Sequence, residues 1–172
     1  MAMQANLKLV EYDDDGVDLA FRAEVLQGLS EPQKAIPARW FYDMRGSELF
    51  EEITRLQEYY PSRVETRLLA DHASEVAELI GPGQVVVEFG SGSSVKTPLL
   101  LRELDALAYV PLDISGEFLR QSSLELGEKF PELSIIPIEA NFMRPVRLPD
   151  TVPAVERLGF FPGSTIGNMV PH

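Results

Sequence analysis

Cysteine is absent from the 172-residue sequence, and this absence excludes several classes of protein at once. Without thiols the chain cannot build a disulfide scaffold, a cysteine-ligated zinc site, an iron–sulfur cluster or a cysteine nucleophile. Basic side chains are also scarce, because 15 Lys and Arg stand against 27 Asp and Glu and the formal net charge is −12. Such an acidic surface argues against a protein that binds nucleic acid or an anionic membrane.

Long apolar runs are missing as well. No stretch approaches the roughly 18 apolar residues of a membrane span, and residues 1–16 turn acidic before any run suited to a signal peptide. What remains is typical of a folded chain, with 45% hydrophobic and 24% charged residues and enough length for one or two domains. We therefore expect a soluble, cytoplasmic protein.

Residues 16–80 carry hydrophobic spacing typical of helices. The clearest helix begins at Ser62, where Ser62 and Glu65 are spaced as a capping box, and it ends at Gly81 and Pro82. Two further apolar stripes predict earlier helices. They consist of Phe21, Val25 and Leu29, and of Leu49, Phe50, Ile53 and Leu56.

After Gln84 short apolar runs alternate with helical segments, which predicts a parallel sheet with crossover helices. We expect four strands, at 84–89, 106–112, 133–138 and 157–161. Thr97 and Pro98 supply an N-cap and a first-turn proline for a helix through Leu104, and Ser115 caps a helix that ends near Lys129.

The predicted sheet looks incomplete. Its fourth strand would be flanked on one side only, which leaves an exposed edge open to pairing, and we therefore expect a fragment of a longer protein. The domain prediction is a helical region at 1–80, followed at 81–172 by the first part of a Rossmann-like nucleotide-binding domain.

The segment VVVEFGSGSSVKT carries the sharpest local pattern. A buried strand ends at Glu88 and is followed by Gly90 and Gly92, which allow a ligand to approach the backbone closely. Val95 stands where a dinucleotide fingerprint requires its third glycine, so NAD is the weaker candidate. The second strand ends at Asp113, 23 positions beyond Gly90, where a carboxylate could accept hydrogen bonds from both ribose hydroxyls.

The pattern acidic-x-Gly-x-Gly resembles motif I of class I S-adenosylmethionine methyltransferases. The strings ARWFYDMRGSELFEEITRLQEYYPSRVE, VVEFGSGSSVKT, YVPLD and GSTIGN, taken in this order, closely resemble the histidine-specific methyltransferases of ergothioneine biosynthesis. These enzymes trimethylate the α-amino nitrogen of L-histidine, and the resemblance covers about residues 20–172. It implies a class I methyltransferase Rossmann-like sheet, with S-adenosylmethionine as co-substrate and no metal.

The resemblance also assigns roles to individual residues. Tyr59 and Asn168 would hold the carboxylate and amine of histidine, Tyr42 would face the imidazole, and Phe50 would line the methyl-accepting pocket. Tyr42 and Asn168 are thus the catalytic candidates. The residues implied for S-adenosylmethionine are Gly90, Ser91, Lys96, Asp113, Asn141 and Phe142.

This chain departs from the family at Asn141, where an acidic residue is usual. The family's remaining half, including a domain whose acid grips the imidazole, is absent from these 172 residues. Two alternatives therefore stay open. The enzyme could methylate another amino acid or small amine, or the chain could be a truncated, non-catalytic binding module.

Other polar residues are weaker candidates. Asp13, Asp14 and Asp15 lack the alternating spacing of a calcium loop and are expected to form a solvated acidic segment. His72 and His172 have no surrounding carboxylates that would specify a metal or a base. Ser164 and Thr165 have no nucleophile elbow or partner histidine, and we interpret them as loop hydroxyls.

Overall fold

The computed structural model describes residues 16–169, and the first part of this range is helical, as predicted. Its helices are α1 (Leu19–Ser30), α2 (Met44–Thr54) and α3 (Pro61–Ile80), with a 3-10 turn at Ala38–Phe41. The Asp18 carboxylate caps α1 by accepting from Ala20 N at 2.7 Å and Phe21 N at 3.1 Å.

The start of α3 corrects the sequence prediction. The helix begins at Pro61, a residue whose fixed φ suits a first turn, and Tyr60 at its N-cap makes no side-chain capping hydrogen bond in the described structure. The predicted capping box of Ser62 and Glu65 is therefore wrong, because Glu65 points to distant parts of the chain. The predicted end is confirmed, since Gly81 follows α3 with a φ of +77°.

All of the strands pair in parallel. They are β1 (Val85–Phe89), β2 (Ala108–Asp113), β3 (Ser134–Ile135), β4 (Ile138–Glu139) and β5 (Arg157–Phe160). β3 and β4 lie along the same side of β2, β1 follows β2, and β5 pairs with the other side of β1. If β3 and β4 are counted as one strand, β5 becomes the fourth strand and the spatial order is 3-2-1-4. This order confirms the predicted doubly wound, Rossmann-like arrangement.

The predicted third strand is interrupted. Its two short pieces are separated at Pro137, which has no N–H to donate to the ladder. β5 lies at the edge of the described sheet, paired only with β1, and its residues are exposed or half-buried.

The helices that follow the first two strands are α4 (Thr97–Leu101) and α5 (Gly116–Lys129). α4 is shorter than predicted, and Thr97 is its first residue rather than its cap because the Thr97 hydroxyl donates to Glu88. α5 has the predicted bounds, although the Ser115 side chain makes no capping hydrogen bond in the described structure.

The sheet separates two hydrophobic cores, because alternate residues of a strand face opposite sides. Val85 and Val87 pack into one core with residues of β2 and β4. Val86 packs into the other core with Leu100 of α4 and Leu126 of α5, and α3 lies against this core. Across residues 16–169 no helix is long and apolar enough to cross a bilayer.

Candidate active site

The carboxyl ends of β1 and β2 open into a cavity of about 930 Å³. Loops after the strands form one side of the cavity, and the helical N-terminal region forms the other. Nine of the ten candidate residues line it. They are Tyr42, Phe50, Tyr59, Gly90, Ser91, Lys96, Asp113, Asn141 and Phe142.

Asn168 is the tenth candidate. Its backbone closes the 3-10 turn Thr165–Asn168, and its side chain lies outside the described part of the structure. The neighbouring Thr165 and Met169 line the cavity, so the turn itself borders the site.

The tips of β1 and β2 are joined by hydrogen bonds. Gly90 N and Ser91 N donate to Leu112 O at 2.9 and 3.2 Å, and Gly92 N donates to Asp113 Oδ2 at 2.9 Å. The two predicted ligand elements therefore meet. The amides of this turn bind the end of β2 rather than facing the cavity.

The turn after β1 leaves room for a ligand. Gly90 and Gly92 have φ values of +71° and +52°, which glycine adopts without strain, and a Cβ added at Gly92 would meet no atom within 4 Å. Ser91 lines the cavity, and its buried Oγ has no hydrogen-bond partner among the described residues. A small-molecule ligand with a hydrogen-bonding group would satisfy this hydroxyl, so the residues present fit S-adenosylmethionine.

Asp113 accepts backbone hydrogen bonds on both carboxylate oxygens, on Oδ2 from Gly92 N and on Oδ1 from Ser115 N, both at 2.9 Å. Burial raises the pKa of this carboxyl above its usual value, and the backbone hydrogen bonds oppose the rise. A carboxylate has about four lone-pair sites, so Asp113 keeps acceptor capacity for a ribose hydroxyl.

Glu88 anchors a buried polar network beneath the turn. Its Oε2 accepts from Tyr109 Oη at 2.6 Å and from Thr97 Oγ1 at 2.7 Å. Burial raises the pKa of Glu88 to about 7, and it also raises the pKa of Tyr109 well above its usual value. Sequence reasoning used Glu88 only as part of a motif, although an acid inside the apolar strand VVVEF already signals a buried network.

The residues after β4 supply a further wall. Asn141 Oδ1 accepts from Met143 N at 3.1 Å, so the side-chain oxygen is engaged locally. The Phe142 ring packs edge-on against Phe89 and Phe161, with centroids 5.9 and 5.7 Å apart.

Three half-buried aromatic side chains from the helical region form a contiguous cluster on the cavity wall. The ring centroids of Tyr42 and Phe50 are 6.0 Å apart, and those of Phe50 and Tyr59 are also 6.0 Å apart. The sequence predictions for these three residues thus converge on one surface, which we call the aromatic wall.

Two carboxylates tie the helical region to the turn after β1, and the sequence predictions missed both. Ser93 Oγ donates to Glu51 Oε1 of α2 at 2.6 Å. Lys96 Nζ forms an ion pair with Glu65 of α3, which also accepts from Gly163 N. No local sequence pattern could reveal these contacts, because the partners are 31 to 98 positions apart.

Of the weaker candidates, Ser164 and Thr165 line the cavity, whereas His72 does not. His72 pairs with Glu75 at 3.1 Å on the exposed side of α3, away from the lining residues. Ser164 precedes the 3-10 turn and is exposed. Asp13, Asp14, Asp15 and His172 lie outside the described residues.

Comparison with known proteins gives consistent matches. A model of the family described as histidine-specific, SAM-dependent methyltransferases matches residues 21–172. The histidine N-alpha-methyltransferases of Mycolicibacterium smegmatis and Mycobacterium tuberculosis are 38% and 37% identical over 162 residues, covering 91% and 92% of this chain and 49% and 50% of those proteins. The 4-dimethylallyltryptophan N-methyltransferase of Claviceps purpurea is 26% identical over 170 residues, with 94% and 49% coverage. The chain thus spans about half the length of these curated relatives.

Proposed function

The chain belongs to the family of histidine-specific, S-adenosylmethionine-dependent methyltransferases, and from that membership we propose that the whole protein methylates the α-amino nitrogen of L-histidine. Three successive transfers give trimethylhistidine, also called hercynine, as ergothioneine biosynthesis requires. The observation that carries the proposal is a single cavity with the joined β1–β2 tips on one side and the aromatic wall on the other.

The residues at the strand tips fit S-adenosylmethionine. Asp113 would accept from the ribose hydroxyls, Ser91 and the Gly90 turn would contact the methionine part with Lys96, and Asn141 with Phe142 would border the adenine. When bound, S-adenosylmethionine supplies a methyl group on a sulfonium as the electrophile. The chain's contribution is to orient it, and fixed geometry can supply roughly 7–11 kcal/mol in favourable cases.

The aromatic wall would receive the acceptor. In this proposal Tyr42 and Asn168 orient the histidine, with Phe50 and Tyr59 completing the pocket. The α-amino group of a peptide terminus has a pKa near 8, and a lowered pKa of the acceptor amine at this site would free the lone pair that attacks the methyl group. Aromatic ring faces also attract the quaternary ammonium that forms as methyl groups accumulate.

The two predicted regions of the chain would have different roles in binding the two ligands. We propose that residues 1–80 contribute to the acceptor pocket together with Asn168, and that residues 81–172 bind the cofactor as the first part of a larger Rossmann-like domain. The function also implies a cytoplasmic protein, where both small molecules are available. Because the chain spans about half the length of its curated relatives, we expect the 172 residues alone to turn over very slowly. Robust turnover by these residues would contradict that expectation.

A second acceptor class also has specific support. The Claviceps purpurea relative is named for methylation of 4-dimethylallyltryptophan and matches 94% of this chain, so a protein similar over most of this chain is named for another acceptor. An aromatic wall accommodates an indole as readily as an imidazole. The acceptor therefore has to be tested directly.

The test is a methylation assay of the full-length protein with S-adenosylmethionine and L-histidine, with L-tryptophan derivatives in parallel and products identified by mass spectrometry. We expect mono-, di- and trimethylated histidine. Tyr59→Phe should raise the KM for histidine, whereas Tyr60→Phe is the matched control because the adjacent Tyr60 side chain is 63% exposed. Methylation of a tryptophan derivative with histidine unmodified would overturn the proposal.

A further inference from the structure

Glu65 lies on α3, but the contacts of its carboxylate are with residues outside this helix. Its carboxylate is half-buried between α3, the turn after β1 and the loop after β5. One oxygen contacts Lys96 Nζ and the other accepts from the backbone N–H of Gly163. The side chain thereby joins three segments that are far apart in the sequence.

The two contacts require a carboxylate. Each oxygen of Glu65 faces a different donor, Nζ of Lys96 on one side and N of Gly163 on the other. A glutamine has one acceptor oxygen and one NH₂ group, so it would place a donor against a donor on one of the two sides. Glu75, which pairs with His72 on the exposed side of the same helix, has no comparable role.

The partners of Glu65 lie on two different loops after strands, and these loops serve the two proposed ligands. Lys96 lies in the turn that would hold the cofactor, and Gly163 begins the segment that leads to the 3-10 turn with Asn168. Within that segment the backbone bonds are local, such as Gly167 N to Ser164 O at 2.9 Å. The hydrogen bond from Gly163 N to Glu65 is a long-range contact. Because Glu65 also contacts Lys96, a displacement of Lys96 would move Glu65 and so change the position of Gly163.

We propose that Glu65 is a positioning residue that couples the cofactor and acceptor sites. With Lys96 fixed by a bound cofactor, Glu65 holds Gly163 and so orders residues 163–168 for acceptor binding. Such coupling is reciprocal, because each ligand must raise the affinity of the other by the same factor. The inference rests on the proposed function, since it assumes that the two ligands share the cavity.

Hydrogen exchange of residues 163–168 tests the coupling in the full-length protein, with and without S-adenosylhomocysteine. We expect this ligand to slow exchange of the segment in the wild type and in the control Glu75→Gln, but not in Glu65→Gln. Glu65→Asp retains both acceptor oxygens and should restore part of the protection. With cofactor saturating, the KM for the acceptor should rise about tenfold in Glu65→Gln, within the usual range of coupling factors, and kcat should change little.

The outcomes separate the two claims. Equal protection by S-adenosylhomocysteine in the wild type and in Glu65→Gln, with an unchanged acceptor KM, overturns the coupling and leaves the proposed function intact. Failure of the wild type to bind S-adenosylhomocysteine overturns the proposed function and the coupling with it. Thermal unfolding of each variant shows whether a loss of protection arises from misfolding. If Glu65→Gln is misfolded, Glu65→Asp decides: partial protection by S-adenosylhomocysteine supports the coupling, and protection equal to that of the wild type overturns it.

Discussion

The buried Glu88 network predicts a specific dependence of stability on pH. The carboxyl is 1% exposed and accepts two hydrogen bonds, and its pKa rises from 4.5 to about 7. A carboxyl with a raised pKa in the folded state contributes stability below its unfolded pKa. That contribution is lost as the pH rises from 4.5 through 7, because the unfolded carboxyl ionises freely in water whereas the folded protein would have to bury the charged carboxylate.

The substitution Glu88→Gln isolates this effect. Both hydrogen bonds, from Tyr109 and Thr97, reach the same oxygen, so a glutamine carbonyl can replace it and keep the network. The rise in pKa from 4.5 to about 7 corresponds to about 3 kcal/mol. Relative to the wild type, Glu88→Gln should therefore gain about 3 kcal/mol between pH 4.5 and 7 and nothing further above that range.

Urea unfolding of both proteins at intervals from pH 4.5 to pH 8 measures the difference. Titrating groups that do not interact with Glu88 contribute equally to both proteins and cancel in the comparison. Glu78→Gln, at an exposed position of α3, is the control for removing an acidic charge and should show no such trend. A difference between Glu88→Gln and the wild type that stays constant with pH would refute the reasoning.

Two further predictions concern the cavity walls. Asn141→Asp should tighten S-adenosylmethionine binding by up to about tenfold in calorimetry, because an aspartate can accept from Met143 N and still offer a charged oxygen to the adenine amine; weaker binding would contradict this. Phe50→Ala should raise the KM for histidine by up to about tenfold through loss of a ring face, whereas Leu49→Ala, at an exposed position of α2, should leave it unchanged in the same steady-state assay. Equal KM values for these two variants would remove Phe50 from the acceptor pocket.

Much of the fold could be predicted because the hydrophobic spacing is local information. The valines of β1 lie in a strand covered on both faces, and such strands appear as continuous apolar runs. The same local reasoning failed at helix starts. Thr97 has the right type for a cap, yet its hydroxyl donates to Glu88, a contact set by the packing of α4 against β1.

The candidate site divides in the same way. The meeting of Gly92 and Asp113 could be predicted, because neighbouring parallel strands end at the same edge and the register aligns Phe89 with Leu112. Glu65 could not be placed correctly, since its spacing from Ser62 matches a capping box while its partners are set by tertiary structure. Local spacing therefore predicts which residues lie at the carboxyl end of a strand. The contacts between those residues and the helices depend on tertiary structure, which local spacing does not reveal.

Calorimetric titration of the full-length protein with S-adenosylmethionine tests the central claim most directly, with Gly92→Ala and Gly83→Ala compared. Both glycines have positive φ and open space at the Cβ position, so both variants carry similar backbone strain, about 1 kcal/mol. Only Gly92 lines the cavity, whereas Gly83 precedes the opposite end of β1. We predict that Gly92→Ala weakens binding at least tenfold, equivalent to about 1.4 kcal/mol, and that Gly83→Ala binds as the wild type does. Equal affinity in all three proteins, or no binding by the wild type, would contradict the account.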